Sequence, residues 1–504
     1  MNSDYDIIEH IIQTACNRST ISTGSTRHTI TSIIREGQRY VEEIGEKKSP
    51  AKVYEYYIPQ VLSVADDDKG ITWAYDTELY YTEALIAKYM NWIEKNIKRH
   101  VSPEEIIEQV QTELGLRYDD EQRKAFELLK HGVGVLTGGP GTGKTALLRG
   151  IVRAHQILTN DSPVLLCAPT GMASHRMCEA VQKQARTIHK TLGISLRNDG
   201  SIVARRSLPS DALIIIDECS MVDTYLMACI TEAAKNARAQ LLLVGDEDQL
   251  PSVGPGQILH DIIASERFPC VRLRKIYRNS GSIAENAIRI RNGKKDLVED
   301  EQFEIRRKEF CPDLMMAAIR EFERHYDKNN PSRVKLLTPV KNEQYETSTQ
   351  TVNRVIHILH HGKNGPAIAE GEPVIFTKNI PDLDVFNGSE GIVLKVEAEG
   401  ERIKKVVVKV DGEKKTVDGK YLEYLELSYC VTIHKAQGIS CKRAIILLPL
   451  EPKSMLTRRL LYVAVTRAEE SVTIFSEWNS IDEAISNENE EPRNTGLLDR
   501  LKQP

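Results

Sequence analysis

The 504-residue chain contains no apolar run near the roughly 18 residues of a membrane-spanning helix, which excludes a helical membrane protein. No secretory signal is expected at its start: Met1-Asn2-Ser3-Asp4-Tyr5-Asp6 is polar and acidic, not basic-then-apolar. It lacks paired cysteines. The nine present are scattered without a C-x-x-C, which argues against a zinc or iron–sulfur site and for a reducing, cytoplasmic setting. Excess positive charge is missing too. A net charge of −5 excludes a globally basic nucleic-acid binder but leaves room for a local basic channel. What remains is 41% hydrophobic and 28% charged, the composition of a folded protein long enough for several domains.

One stretch organises the rest. Gly138-Gly139-Pro140-Gly141-Thr142-Gly143-Lys144-Thr145 fits G-x-x-x-x-G-K-[ST], the phosphate-binding P-loop. An apolar run from Val133 to Leu136 leads into it, and a helical pattern carrying Leu147, Leu148, Ile151 and Leu158 follows. The glycines let successive backbone N–H groups curl around anionic oxygens, and the helix N-terminus adds partial positive charge. Lys144 can reach the β- and γ-phosphates of ATP, and Thr145 can offer its hydroxyl to Mg²⁺.

Before this stretch, residues 1–116 read as a mainly helical, winged-helix-like module, with 17–26 as a loop. From residue 117 strands alternate with helices. Near-continuous apolar runs at 164–168, 213–217, 241–245, 271–276, 334–339, 444–448 and 472–475 predict parallel strands covered on both faces. The fold class is therefore α/β, in two lobes: 117–270, and 271–354 with 428–480. Residues 355–427 alternate more and contain Asp411-Gly412, a hairpin signal, so a small β-barrel inserted in the second lobe is expected. A second hairpin is expected at 194–206 around Asn198-Asp199-Gly200, and 481–504 forms a tail with Leu497, Leu498 and Leu501 docking one helical turn.

Leu213-Ile214-Ile215-Ile216 ends in Asp217-Glu218, the Walker B arrangement: Asp217 can hold Mg²⁺ and Glu218 can take the proton of an attacking water. The 241–245 strand ends in Asp246-Glu247-Asp248-Gln249, where Gln249 can hydrogen-bond both the γ-phosphate and a water.

Gly245 to Val253 resembles motif III of superfamily 1 helicases of the RecD-like branch. Other stretches resemble the family's motifs in order: Asp120-Glu121-Gln122 (Q motif), Ala168-Pro169-Thr170-Gly171 (Ia), Thr187-Ile188-His189 (Ic), Asp217 to Asp223 (II), Ile276-Tyr277-Arg278 (IV), Thr432 to Gly438 (V) and Tyr462 to Ala468 (VI). The resemblance implies two RecA-like lobes sharing one ATP. Gln122 would read adenine, Tyr277 would stack on it, and Arg278 and Arg467 would be arginine fingers, a role suited to a planar charged fork. It also implies that Thr170, Ser174, Thr187, His189, Thr432 and His434 face single-stranded DNA, contacting phosphates without reading sequence. The 194–206 hairpin would be a strand-splitting pin and the inserted barrel a clamp. The expected activity is ATP-dependent, 5′ to 3′ unwinding of tailed duplex DNA by a monomer. The alternatives are a translocase that does not separate strands and a regulatory binder with a degenerate motor. No acidic or histidine cluster stands apart from the motifs, so no nuclease centre is expected. The chain departs from the family pattern at Met172, often basic, at Ser440, often acidic, and at Glu469, often lysine.

Overall fold

The structure, a computed structural model, describes every residue except 1, 46–48, 68, 99–102, 197–201, 276, 278–280, 309–310, 329, 332, 379, 384, 386, 411, 488–492 and 504. Arg278, the turn Asn198-Asp199-Gly200 and Asp411 therefore lie outside the described residues.

The first lobe is built on a six-stranded parallel sheet. Its order is Cys270–Leu273, Val133–Gly138, Gln240–Gly245, Leu213–Ile216, Val164–Ala168, Ala185–Thr187. Because side chains alternate along a strand, an unbroken apolar run serves two cores at once. Val135, Ile214 and Leu243 face one core, and Leu136, Ile215 and Leu242 face the other. In this register Gly245 lies beside Thr137 and Leu243 beside Ile216. Asp217 and Asp246 thus leave the carboxyl edge next to the first glycine of the P-loop.

The second lobe is a five-stranded parallel sheet in the order Phe303–Lys308, Ala468–Glu477, Cys441–Leu448, Val334–Thr338, Cys430–Thr432. The polar strand Phe303–Lys308 is an edge strand with no apolar run to announce it.

Several boundaries differ from the sequence expectation. Cys270–Leu273 pairs with Val133–Gly138, so the first lobe extends past 270. The amino-terminal module has its own core, formed by helices Asn2–Thr23, Ile30–Glu43 and Ala51–Val61 against an antiparallel sheet of Arg27–Thr29, Thr72–Tyr75 and Ser63–Asp66. Its first helix runs through 17–23 instead of ending in a loop: Thr23 Oγ1 donates to Ser19 O, and the turn waits for Gly24 at φ 67°. Helices Thr77–Asn96 and Pro103–Leu114 do not belong to that module. Ile86, Met90 and Ile93 join one first-lobe core, and Ile107 and Val110 the other. Helix Thr349–His361 likewise packs Val352 and Ile356 into the second lobe, so the insertion begins after it rather than at 355.

The insertion itself is a five-stranded antiparallel sheet with Glu413–Asp418 and Leu425–Leu427 as its edges, which do not pair with each other among the described residues. The short helix Gly419–Tyr424 joins the two edges and lays Tyr421, Leu422 and Tyr424 against the sheet's core, filling the side a closed barrel would seal with hydrogen bonds. The 194–206 segment does form antiparallel strands, Ile194–Leu196 and Ile202–Ala204. In the tail, helix Leu497–Lys502 docks Leu497 and Leu501 into the core that also holds Ile86 and Met90, while Leu498, also expected to dock, stays half-buried outside it. No helix of the described residues is long and apolar enough to cross a membrane.

Candidate active site

The P-loop connects strand Val133–Gly138 to helix Lys144–Leu158. Gly143 has φ 82°, and a Cβ there would lie 3.2 Å from Gln122 Nε2 and 3.7 Å from the Tyr277 ring. A glycine is required on both counts, backbone and space. Gln122 and Tyr277 therefore both lie over the loop at Gly143. Gln122 is fixed by a capping box, with Asp119 Oδ1 accepting from Gln122 N at 2.9 Å and Gln122 Oε1 accepting from Asp119 N at 3.2 Å. Tyr277 N donates to Gly141 O at 2.8 Å and its hydroxyl donates to Asp119 Oδ2, while half of the side chain stays exposed.

Lys144 Nζ turns back onto the loop, donating to Gly138 O and, at 3.0 Å, to Gly139 O. Thr142 Oγ1 donates to Gly139 O at 2.8 Å. Thr145 stands half-buried in the first helical turn. Burial first, then the charge of Glu218, pushes the Asp217 carboxyl up, while Lys144 and the Glu218 N–H, 2.9 Å from Asp217 Oδ1, oppose this. Glu218 itself sits in the left-handed region at φ 52°, a strained setting for a side-chain-bearing residue that is typical of functional positions. Gln249 is buried, and its Oε1 has no hydrogen-bond partner. A buried amide oxygen without a donor is costly, and it suits an acceptor kept for a ligand or water.

The second lobe closes on this edge. Tyr462 OH donates to Asp246 Oδ2 at 3.0 Å and would lie 3.1 Å from a Cβ on Gly139. Gln437 Nε2 donates to Leu250 O at 3.0 Å, and Arg291 pairs with Asp248 at 3.3 Å. Arg176 of the first lobe donates to Gly438 O and Ser440 O. A cavity of about 200 Å³ lies between the lobes, lined by Gly138, Gly139 and Pro140 on one side and Ala287, Tyr462 and Thr466 on the other. Arg467, next to Thr466, is buried and held within its own lobe: it donates to Val463 O at 2.9 Å, Ile439 O at 3.2 Å and Thr466 Oγ1 at 3.1 Å. In this arrangement it is not turned to the P-loop.

Residues 117–307 match the family model described as AAA domain, and 427–475 match the UvrD-like helicase C-terminal domain. An ATP-dependent RecD2 DNA helicase of Deinococcus radiodurans is 33% identical over 398 residues, which is 76% of this chain and 52% of the relative. The RecBCD enzyme subunit RecD of Mycobacterium tuberculosis is 32% identical over 435 residues, covering 76% of this chain and 73% of the relative. The chain belongs to the RecD-like helicase family. It spans about half the length of the RecD2 relative and nearly three quarters of the RecD subunit. Among solved structures, a Bacteroides Pif1 helicase covers 73% of this chain and 94% of its own at 18% identity and a TM-score of 0.46, too low to bear on the assignment.

As a RecD-like chain, it places its proposed DNA-facing residues mostly at helix starts. Thr170 and Thr187 cap helices Gly171–Val181 and Ile188–Leu192 by accepting from Ala173 N and Lys190 N, each at 3.2 Å. Thr432 accepts from Lys435 N at 3.2 Å, and Ser174 Oγ donates to Gly171 O at 2.7 Å. A capping hydroxyl keeps its own proton available to a phosphate. Burial holds the imidazoles of His189 and His434 below the ordinary histidine range, with Asp223 opposing the effect at His189. Two of the departures from the family pattern answer each other, since Ser440 Oγ donates to Glu469 Oε1 at 2.8 Å.

Three features escaped the sequence reading. Tyr462 and Gln437, quoted there only as motif members, bridge the lobes. Arg493 folds back from the tail and donates to Ser252 O, Gly254 O and Gly256 O at 2.6–2.9 Å, gripping the loop that follows Gln249. Lastly, His357, His361 and Glu372 converge away from the motor cleft, contrary to the expectation that no histidine cluster stands apart.

Proposed function

We infer that the chain is an ATP-driven DNA helicase that moves 5′ to 3′ on single-stranded DNA and separates tailed duplexes. The observation that carries this reading is the meeting, across one cleft, of the P-loop, Asp246 and Leu250 from the first lobe with Tyr462, Gln437 and Thr466 from the second.

Adenine stacks on the exposed ring of Tyr277 and is read by Gln122. Lys144 leaves the loop carbonyls for the β- and γ-phosphates, which offer it charged acceptors. Thr145 and Asp217 fit Mg²⁺, which when bound neutralises phosphate charge. The unpaired Oε1 of Gln249 accepts from the attacking water, and Glu218 takes that water's proton. Arg467, and Arg278 from the motif IV segment, stabilise the charge on the transferring phosphoryl group. Arg467 exchanges its carbonyl partners for the charged γ-phosphate oxygens when these are present, so nucleotide favours the closed lobes and hydrolysis releases them. Thr170, Ser174, Thr187 and His189 grip the strand from one lobe and Thr432 and His434 from the other; the 194–206 hairpin parts the duplex and the inserted sheet clamps the emerging strand. The eight free cysteines among the described residues fit a reducing cytoplasm, and the enzyme works as a monomer.

Strand displacement on 5′-tailed and 3′-tailed duplexes tests the reading. ATP-dependent release from the 5′-tailed substrate alone is expected. Release from neither substrate, with DNA-stimulated ATP hydrolysis intact, would show a motor that does not unwind.

A further inference from the structure

Helix Thr349–His361 of the second lobe ends in His357, His360 and His361. His357 and His361 are four residues apart, so they project from the same face, with ring centroids 5.3 Å apart. The chain then loops out and returns at Glu372, directly before the first inserted strand, Pro373–Phe376. Glu372 is 1% exposed. Its Oε1 lies 2.8 Å from His357 Nδ1 and 3.6 Å from His361 Nε2, and one ligand atom from each residue falls within 4.8 Å of the others. We propose that His357, His361 and Glu372 form a binding site for a divalent transition-metal ion of the zinc type, which ties the inserted sheet to the second lobe.

Tetrahedral zinc with bonds of 2.0–2.2 Å places its ligand atoms roughly 3.3 Å apart. The two Glu372 distances straddle that value, so small side-chain rotations complete the set. The carboxylate is already oriented by outer partners: Ala369 N donates to Oε2 at 2.7 Å and Tyr429 OH to Oε1 at 3.1 Å. Such partners fix the geometry of a metal ligand and tune its affinity. His360 is excluded from the set because it turns away to Glu323, at 2.9 Å. The His361 side chain is 32% exposed, which provides an entry path and leaves the fourth coordination position to water. Two imidazoles and one carboxylate suit zinc and its neighbours and are poor ligands for Mg²⁺ or Ca²⁺. The site is thus separate in chemistry from the nucleotide's cation. Its two halves lie on either side of the 362–371 loop, so an occupied site would fix the inserted sheet against the lobe that carries motifs V and VI.

The full chain, stripped with a chelator and dialysed, is titrated with Co²⁺ and followed by visible absorption. The expected result is one saturable site with nitrogen–oxygen ligation, displaced by Zn²⁺. His361→Ala, a surface change that leaves the His357–Glu372 contact in place, abolishes the spectrum, and Tyr429→Phe weakens binding about tenfold to a hundredfold. Hydrogen exchange at 362–372 slows on adding Zn²⁺ to the parent and not to the His361→Ala protein. No saturable binding, a thiolate–cobalt charge-transfer band, or identical titrations for the parent and His361→Ala would each overturn the proposal and leave a hydrogen-bonded His–Glu–Tyr cluster.

Discussion

Replacing Tyr462 with Phe keeps the ring and removes one hydroxyl. That hydroxyl donates to Asp246 Oδ2 at 3.0 Å, and donor and acceptor sit on different lobes with both residues buried. Burial, then the charge of Asp246, pushes the Tyr462 phenol far above its ordinary range, so it remains a donor at any working pH. In the variant Asp246 keeps the nearby Lys144 and the Asp248 N–H at 3.0 Å, with the like charge of Glu218 opposing them. A hydrogen bond to a charged acceptor contributes about 1.5–3 kcal/mol, roughly a tenfold to 150-fold factor in an equilibrium. Because the bond crosses the cleft, that factor falls on the closed-to-open balance and not on the folding of either lobe. Hydrogen exchange without nucleotide is the assay. Amides at 246–250 and 458–466 should exchange faster by about that factor, while the central strands of both sheets are unchanged. Equal exchange at 246–250 in parent and variant would refute the idea that this contact holds the cleft.

Three further outcomes follow from the geometry. Glu218→Gln should bind ATP like the parent and lose about 10²–10⁴-fold in kcat, the usual contribution of a general base; unchanged turnover removes Glu218 from that role. Arg493→Ala strips a charged donor from three carbonyls of the loop after Gln249, so kcat should fall with little change in KM for ATP, and Arg493→Lys should recover part of it; equal losses from the Ala and Lys variants would deny the positioning role. Glu83 accepts from Thr26 Oγ1 at 2.6 Å, Gly496 N at 3.1 Å and Arg500 at 3.3 Å, yet burial pushes its carboxyl up to about 7. Against about 4.3 in an unfolded chain, the folded state holds the extra proton between these values. Its contribution is therefore fully present below about pH 4.3 and is lost as pH rises through 7, on the order of 3 kcal/mol. Denaturant melts at pH 5 and 8 should show that slope reduced in Glu83→Gln; parallel slopes in parent and variant would contradict it.

The strands and the turn that build the P-loop edge were largely legible in the sequence. Strands buried on both faces must be continuous apolar runs, and a phosphate cradle needs glycines at fixed offsets, so Val133–Gly138, Leu213–Ile216 and the P-loop were local patterns. The errors arose where tertiary partners decide. Cys270–Leu273 looks like any strand, and only its pairing with Val133–Gly138 gives it to the first lobe. Helix Thr77–Asn96 has the periodicity expected, but nothing local says that Met90 packs into the motor and not into the module before it. Polar Ser and Thr at 19–23 suggest a loop, yet Thr23 satisfies its hydroxyl on the Ser19 carbonyl and the helix continues. The His357–His361 spacing was visible, but Glu372 reaches it only across a loop, and Arg493 reaches motif III only because the tail folds back.

In the proposed cycle one ATP is shared by the two lobes and sets the distance between them. The direct measurement is the separation of dyes placed, through unnatural amino acids, at exposed Glu232 of the first lobe and exposed Arg320 of the second. Adding Mg²⁺ and a non-hydrolysable ATP analogue should shift the dyes to a single shorter distance, reversed by ADP and absent in Lys144→Ala. A distance that ignores nucleotide in a protein that still hydrolyses ATP on DNA would contradict it.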